Sequence, residues 1–183
     1  MALSGVFPVT ESQAQFEQAY TSLTTDRSFP GGALGDIVRD NLGGIWMLVK
    51  AAENLTQYSL CHVTNASLQD GTYLAEMTEA ADIATGPKIL GLNQIAITAA
   101  TAPYFWLWRG PGGGYGKGIK VRSENATAGA LLSPLSGTAG AVDDANVDEG
   151  VIAGLQTLVT TTTITAVEVV ATTILTCNLG ETD

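Results

Sequence analysis

The chain has 183 residues, of which 45% are hydrophobic and 14% are charged, and its formal net charge is -10. This length and composition predict one folded domain with its own core and exclude a disordered chain. No two of its 8 Lys and Arg residues are adjacent, which argues against nucleic acid as the main partner, because phosphate binding needs clustered cations.

Residues 1–32 are predicted to form an N-terminal arm that ends at the turn sequence FPGG. Four apolar residues fall at helical spacing, which predicts either a short helix over Glu11–Leu23 or an extended arm. They are Phe16, Ala19, Tyr20 and Leu23. We expect Phe16 and Tyr20 to contact a partner. No basic segment followed by an apolar core opens the sequence, so no signal peptide is predicted.

Residues 33–183 are predicted to form a single β-rich domain, a β-sandwich or β-barrel of short antiparallel strands with one or two short helices. Short runs rich in β-branched and aromatic residues alternate with Gly, Asn and Asp. The runs are Leu34–Arg39, Ile45–Lys50, Tyr58–Thr64, Thr72–Thr78, Lys88–Thr98, Gly118–Ser123, Leu131–Leu132, Val151–Val159, Ile164–Ala171 and Thr173–Cys177. The sequences NLGG at 41–44 and QDG at 69–71 predict hairpins. Residues 75–84 are a second, weaker helical candidate, and the sequence shows no internal repeat.

The stretch 89–108 carries no charge and is long enough to suggest a membrane helix. Asn, Gln, Thr and Pro residues interrupt it and give it a polar centre. We therefore reject a membrane-spanning segment and expect no membrane partner.

An aromatic strand followed by a glycine-rich loop is the most distinctive stretch. In an extended strand Tyr104, Trp106 and Trp108 share one face. The face either supplies core or forms a surface for protein docking or sugar stacking. Glycine occupies positions 110, 112, 113, 114, 116 and 118 of the loop, and two of the four lysines of this acidic chain lie beside it. The candidate partner-contact residues here are Trp106, Trp108, Arg109, Pro111, Tyr115, Lys117 and Lys120.

The glycine-rich loop fails the phosphate-binding patterns. Where the Walker A pattern needs its first glycine the chain has Pro111, and Gly118 replaces the Ser or Thr after the lysine. The loop does not complete the dinucleotide-binding pattern either. We expect no cofactor.

The single histidine, His62, neighbours Cys61 in a predicted strand, where the two side chains point to opposite faces. They do not form a nucleophile–base pair, and we expect the protein not to be an enzyme. A hydrolase that uses a pair of carboxylates remains the catalytic alternative. Cys61 and Cys177 lie far apart in sequence, which favours buried free thiols over a metal site.

One acidic cluster lies at 143–149 and consists of Asp143, Asp144, Asn146, Asp148 and Glu149. It does not match the EF-hand calcium loop, because positions six and twelve are Glu149 and Leu155. A solvated turn is the favoured interpretation, and a looser divalent-cation site is the alternative.

Segments spread from Leu34 to Asn178 carry a resemblance to a known family. They are LGDIVRDNLGGIWMLVKAAENLTQYSLCHV, ILGLNQIAIT, YFWLWRG followed by GIKVRSENATAGALL, GTAGAVDD, VIAGL and AVEVVATTILTCN. In this order they resemble the capsid decoration (cement) proteins of tailed bacteriophages. The leader before Phe29 and the loop 110–118 depart from that pattern.

The resemblance implies a structural virion protein that binds the outer surface of an assembled capsid and stabilises the shell. Its partners would be the major capsid protein and the chain itself, as a homotrimer at threefold and quasi-threefold positions. The leader, residues 1–32, is expected to reach along the lattice or onto an adjacent decoration subunit. The alternative function is a carbohydrate- or receptor-binding β module that uses the Trp106 and Trp108 face.

Overall fold

The structure is a computed structural model that describes residues 12–23, 32–64, 73–83, 88–145 and 150–178. These residues form a mainly β fold with two short helices, as the sequence predicts. The elements are α1 Gln13–Phe16, β1 Ala19–Tyr20, β2 Ile37–Arg39, β3 Ile45–Ala51, β4 Leu60–Thr64, β5 Leu74–Met77, α2 Ala80–Ile83, β6 Ile89–Leu92, β7 Tyr104–Gly110, β8 Gly112–Gly113, β9 Lys120–Ser123, β10 Leu131–Pro134, β11 Ala141–Asp144, β12 Val151–Thr157, β13 Thr165–Ala171 and β14 Cys177–Asn178.

The first sheet closes into a ring of β3, β5, β4, β6 and β7. β3 pairs antiparallel with β7 and parallel with β5, and β4 lies antiparallel between β5 and β6. The ring closes where β6 meets β7 at Leu92 and Trp108. β2 adds to the outside of β3, and β1 adds to β7.

The second sheet closes in the same way. β9 pairs antiparallel with β13 and parallel with β11, β10 lies antiparallel between β11 and β12, and β12 pairs with β13. β8 adds to β13, and β14 adds to β12. Both rings therefore have the same strand order and one parallel pair each, a structural repeat that the sequence does not reveal.

Two apolar clusters support this architecture. The first ring encloses one of them, to which alternate residues of its strands contribute, such as Met47 and Phe105. The intervening residues, such as Trp46 and Trp106, join the second cluster together with Val121 and Val169 of the other sheet. The two sheets therefore pack on a shared core, and the sandwich-like arrangement that the sequence predicts is confirmed.

The turn between β2 and β3 is organised by the buried carboxylate of Asp40. Its Oδ1 accepts hydrogen bonds from the amides of Leu42 and Gly44, each at 2.8 Å, and its Oδ2 accepts one from Trp46 Nε1 at 2.7 Å. A short polar side chain that bonds the backbone ahead of it is a typical turn device. The predicted hairpin at 41–44 is thus confirmed, whereas the QDG turn lies outside the described residues.

The described part of the leader packs on the first sheet. The predicted helix is shorter than expected, because α1 ends at Phe16 and the chain then turns into β1. β1 pairs with the beginning of β7, which the short strand β6 leaves uncovered. Backbone pairing to an open strand edge thus overrides the helical spacing of the sequence.

The uncharged stretch 89–108 forms β6, the start of β7 and the turns between them. Within the described ranges, no helix is both long and apolar enough to cross a membrane.

Candidate functional site

The aromatic strand β7 is buried on both faces. Trp106 and Trp108 are 1% and 0% exposed and belong to the core shared by the sheets, while Phe105 and Leu107 belong to the cluster inside the first ring. Of the two interpretations of this face, the structure supports core. The expectation that Trp106 and Trp108 contact a partner or stack on sugars is corrected, because an enclosed indole ring has no free face.

The two leader aromatics are also core residues. Phe16 and Tyr20 are each 1% exposed. The Phe16 ring stacks on Trp46 and meets the edge of Trp106, with centroids 5.4 Å apart in both pairs. The expectation that Phe16 and Tyr20 face a partner is corrected as well, since both side chains lie within their own domain.

The glycine-rich loop 110–118 folds back onto the second sheet. Gly112 and Gly113 form β8 and pair with the end of β13. Gly113 has a φ of 79°, and a Cβ at this position would overlap the carbonyl oxygen of Val169. Only glycine permits this backbone approach. The first half of the loop is therefore part of the sheet and does not project from it.

The second half of the loop surrounds a carboxylate. The amide of Gly116 lies 3.1 and 3.0 Å from the two carboxylate oxygens of Glu168, and the amide of Gly118 donates to Oε1 at 3.3 Å. The hydroxyl of Tyr115 donates to the carbonyl oxygen of Leu158 at 2.7 Å. These bonds tie the tip of the loop to β13 and to the end of β12.

Side chains at the tip of the loop are turned outward. Tyr115 is 71% exposed, more than any other large hydrophobic residue in the described part of the chain. Lys117, two residues further along the loop, is also exposed, and Val159, next to the carbonyl that Tyr115 contacts, is 42% exposed. We call Tyr115, Lys117 and Val159 the tip surface.

The other candidate contact residues are less accessible. Arg109 is half-buried and donates from Nε to the carbonyl oxygen of Leu90 at 3.3 Å, and burial lowers the pKa of its guanidinium. The Lys120 ammonium lies 5.6 Å from the centre of the Tyr58 ring, a cation–π contact. Pro111 is half-buried and follows a cis peptide bond. Arg109 therefore links β7 to β6, and Lys120 links the start of β9 to the segment between β3 and β4.

His62 and Cys61 point to opposite faces of β4, as the sequence predicts. Cys61 is a free thiol inside the first ring, and burial raises its pKa well above the ordinary value. His62 is 3% exposed, and its two ring nitrogens lie 3.8 Å from carboxylate oxygens of Glu76 and Asp82. Burial lowers the pKa of His62, and the nearby charges of Asp82 and Glu76 oppose that shift.

A small crevice lies between α1, the β2–β3 turn and the glycine-rich loop. It is lined by Gln13, Asp40, Leu42, Gly44, Trp108, Gly112, Gly113, Lys117 and Ile119. Its volume of about 40 Å³ has room for a few water molecules but not for a sugar ring.

The described acidic residues near 143–149 bond to their own chain. The Asp144 carboxylate accepts from the amide and hydroxyl of Thr127 at 2.6 and 2.8 Å, and Asp143 accepts from the Ser133 hydroxyl at 3.0 Å. Across the described ranges, no three His, Cys, Asp or Glu side chains meet as metal ligands. Residues 146–149 and the side chain of Cys177 lie outside the description.

Sequence reasoning did not find Glu168, which shapes the tip surface. It lies 52 residues after Gly116, and nothing in the loop sequence indicates a distant carboxylate partner. The sequence did indicate Tyr115 and Lys117, through their place beside the glycines.

No protein-family model, curated protein or solved structure matches the chain.

Proposed function

We propose that the protein is a structural virion protein that binds the outer surface of an assembled bacteriophage capsid, as trimers at threefold and quasi-threefold positions, and stabilises the shell. The observation that carries the proposal is the tip surface, where a tethered loop exposes Tyr115 and, two residues later, Lys117. Tyrosine is enriched among the residues that dominate binding energy at protein interfaces. The resemblance of the chain to decoration proteins supports the same function.

The electrostatics of the chain suit a contact with another protein. The net charge is -10, and Lys117 places one of only four lysines at the tip surface. A cation and an exposed aromatic ring on one short loop favour a partner patch that offers both carboxylates and apolar contact area. Three copies joined in one trimer would bind the lattice much more tightly than one copy, through effective concentration.

The reactive side chains of β4 support a binding role over catalysis. The Cys61 thiol lies inside the first ring, and the His62 imidazole, which is 3% exposed, lies between the side chains of Glu76 on β5 and Asp82 on α2. A substrate would have to open the first ring to reach the thiol, and the imidazole presents almost no accessible surface.

Co-sedimentation with expanded heads tests the proposal, with heads assembled from the major capsid protein of the bacteriophage that encodes the chain. Wild-type protein is expected to pellet with heads in a saturable manner, and Tyr115→Ala is expected to weaken binding at least about tenfold. Leu131→Ala is the matched control, because Leu131 is a 45% exposed apolar residue on β10, away from the loop. Absence of wild-type binding to the heads would overturn the proposed function.

A further inference from the structure

We propose that Glu168 is a positioning residue: its carboxylate fills an anion-binding turn in the glycine-rich loop and thereby fixes Tyr115 and Lys117 for a carboxylate-bearing protein partner. The positioning role concerns the chain alone. The partner rests on the proposed function above.

The glycine-rich loop has the geometry of a backbone anion site. Gly114, Gly116 and Gly118 have φ values of 116°, 70° and 80°, a region that other residues rarely adopt. In this conformation the amides of Gly116 and Gly118 converge on one carboxylate. Successive amides that point into a concave turn form a favourable site for an anion.

The carboxylate in this site belongs to Glu168, which does not pair with the lysine opposite it in the sheet. Glu168 lies directly opposite Lys120 in the antiparallel pair of β9 and β13, where opposite charges commonly interact. Lys120 instead directs its ammonium over the Tyr58 ring, and Glu168 accepts bonds from the loop amides. The arrangement indicates that holding the loop is the main role of this carboxylate.

Hydrogen bonds hold the loop on both sides of Tyr115 along the sequence. On one side the Gly114 amide donates to the carbonyl of Val169 at 2.9 Å, and on the other side Glu168 holds Gly116 and Gly118. Hydrogen bonds to an ionised acceptor are roughly twice as strong as bonds between neutral groups. Without the carboxylate, Gly116 and Gly118 would lose these bonds, and the second half of the loop would be free to sample more conformations.

The tip surface that results matches one kind of partner. Tyr115 and Val159 provide apolar contact area, and Lys117 provides a positive charge whose ammonium forms no ion pair among the described residues. A protein surface with an exposed carboxylate beside an apolar patch satisfies both features. The loop is already ordered before binding. Binding would therefore not include the loss of conformational entropy that ordering the loop would otherwise cost.

Hydrogen exchange on the full chain tests the positioning role. In Glu168→Ala the amides of Gly116 and Gly118 are expected to exchange at least roughly tenfold faster than in wild type, with unchanged exchange in β3 and β7. Added sodium formate is expected to restore their protection, and sodium chloride at the same ionic strength is not. Glu168→Gln keeps the shape of the side chain but not its charge. Its amide exchange rates at Gly116 and Gly118 should lie between those of wild type and Glu168→Ala. Wild-type protection in Glu168→Ala, or equal rescue by both salts, would overturn the proposal.

Binding to expanded heads tests the partner separately. Glu168→Ala is expected to bind at least about tenfold more weakly than wild type, and formate is expected to recover part of that loss. Glu124→Gln is the matched control, because Glu124 is a half-buried glutamate directly after β9, a strand of the sheet that contains Glu168. Faster exchange with unchanged head binding would overturn the assignment of the partner to the tip surface and keep the positioning role. Absence of wild-type binding to heads would overturn the proposed function and the partner with it.

Discussion

Gln94 and Lys120 exchange two hydrogen bonds between the first sheet and the second. Gln94 Oε1 accepts from the Lys120 amide at 2.9 Å, and Gln94 Nε2 donates to the Lys120 carbonyl oxygen at 3.0 Å. A side-chain amide thus takes the place of a neighbouring strand at the first residue of β9. Gln94 therefore links the two rings and fixes the backbone of Lys120, the first residue of the strand that follows the glycine-rich loop.

Replacement of Gln94 by Ala should destabilise the fold. The Lys120 amide and carbonyl would lose their partners at a position where Gln94 is 3% exposed, and we expect a loss of about 1–3 kcal/mol in the free energy of unfolding. Urea denaturation measures this difference. Gln57→Ala is the control, because Gln57 is exposed and donates one bond within the described residues, from Nε2 to the backbone carbonyl oxygen of Gln94 at 3.1 Å, which the Gln94→Ala change leaves in place. Equal stability of the two variants would contradict the linking role of Gln94.

Replacement of Phe16 by Ala should show that the described leader belongs to the core. The ring is 1% exposed and contacts Trp46 and Trp106, so its loss should cost about 3–5 kcal/mol. Thermal and urea denaturation measure the effect. Gln15→Ala, an exposed substitution one residue away, should have little effect. A Phe16→Ala variant as stable as wild type would place the leader outside the core and restore its role as an arm for a partner.

Stability should fall at acid pH because of His62. Burial lowers its pKa in the folded state below the ordinary 6.5, so the unfolded chain binds the proton more readily. The free energy of unfolding should therefore decrease as the pH falls from above 6.5 through the folded pKa. The groups that face the ring or act on it are Glu76, Asp82, Thr78, Lys88 and Glu53.

His62→Gln should reduce that pH dependence. The chain has one histidine, so the difference between the two proteins reports this imidazole together with its effect on the neighbouring carboxylates. Urea denaturation at about pH 7.5 and about pH 5 gives the comparison, and the wild type should lose more stability than the variant. Parallel pH profiles would show that the His62 pKa is the same in the folded and unfolded chains.

Cys61 should be unreactive in the folded protein. Its thiol lies inside the first ring, and burial raises its pKa, so the reactive thiolate is scarce near neutral pH. A Cys177→Ser variant isolates this thiol, and a chromogenic disulfide reagent should label it only after denaturation. Rapid labelling of the native variant would show that the first ring opens readily.

The strands were largely predictable from the sequence, whereas their partners were not. Runs such as Ile45–Lys50 and Ile164–Ala171 correspond to β3 and β13, because β-branched and aromatic side chains suit a pleated sheet. The two-residue strands β1 and β8 carry no such signal, since they exist only through pairing with a longer strand. Parallel pairing of β3 with β5 and of β9 with β11 depends on closing each ring, which local sequence does not encode.

The burial of Trp106 and Trp108 could have been predicted from the sequence, although not from the alternation of side chains along the strand. Both faces of Tyr104–Gly110 are apolar apart from Arg109, and a continuous apolar run is typical of a strand covered on both sides. Tyr115 and Lys117 could be singled out from the sequence because they lie among glycines. Glu168 could not, because its carboxylate reaches the loop only after β13 has paired with β9.

The closed order of the two rings bears on how the chain is synthesised. The first ring uses strands from residues 45–110 and the second uses strands from 120–171, so neither needs a strand from the other. A chain leaving the ribosome can complete the first ring before the second has been translated, which limits the time that its strand edges stay open to misassociation. The contact between Gln94 and Lys120 would then be among the last to form, and pulse-labelling of nascent chains would show the first ring protected before it.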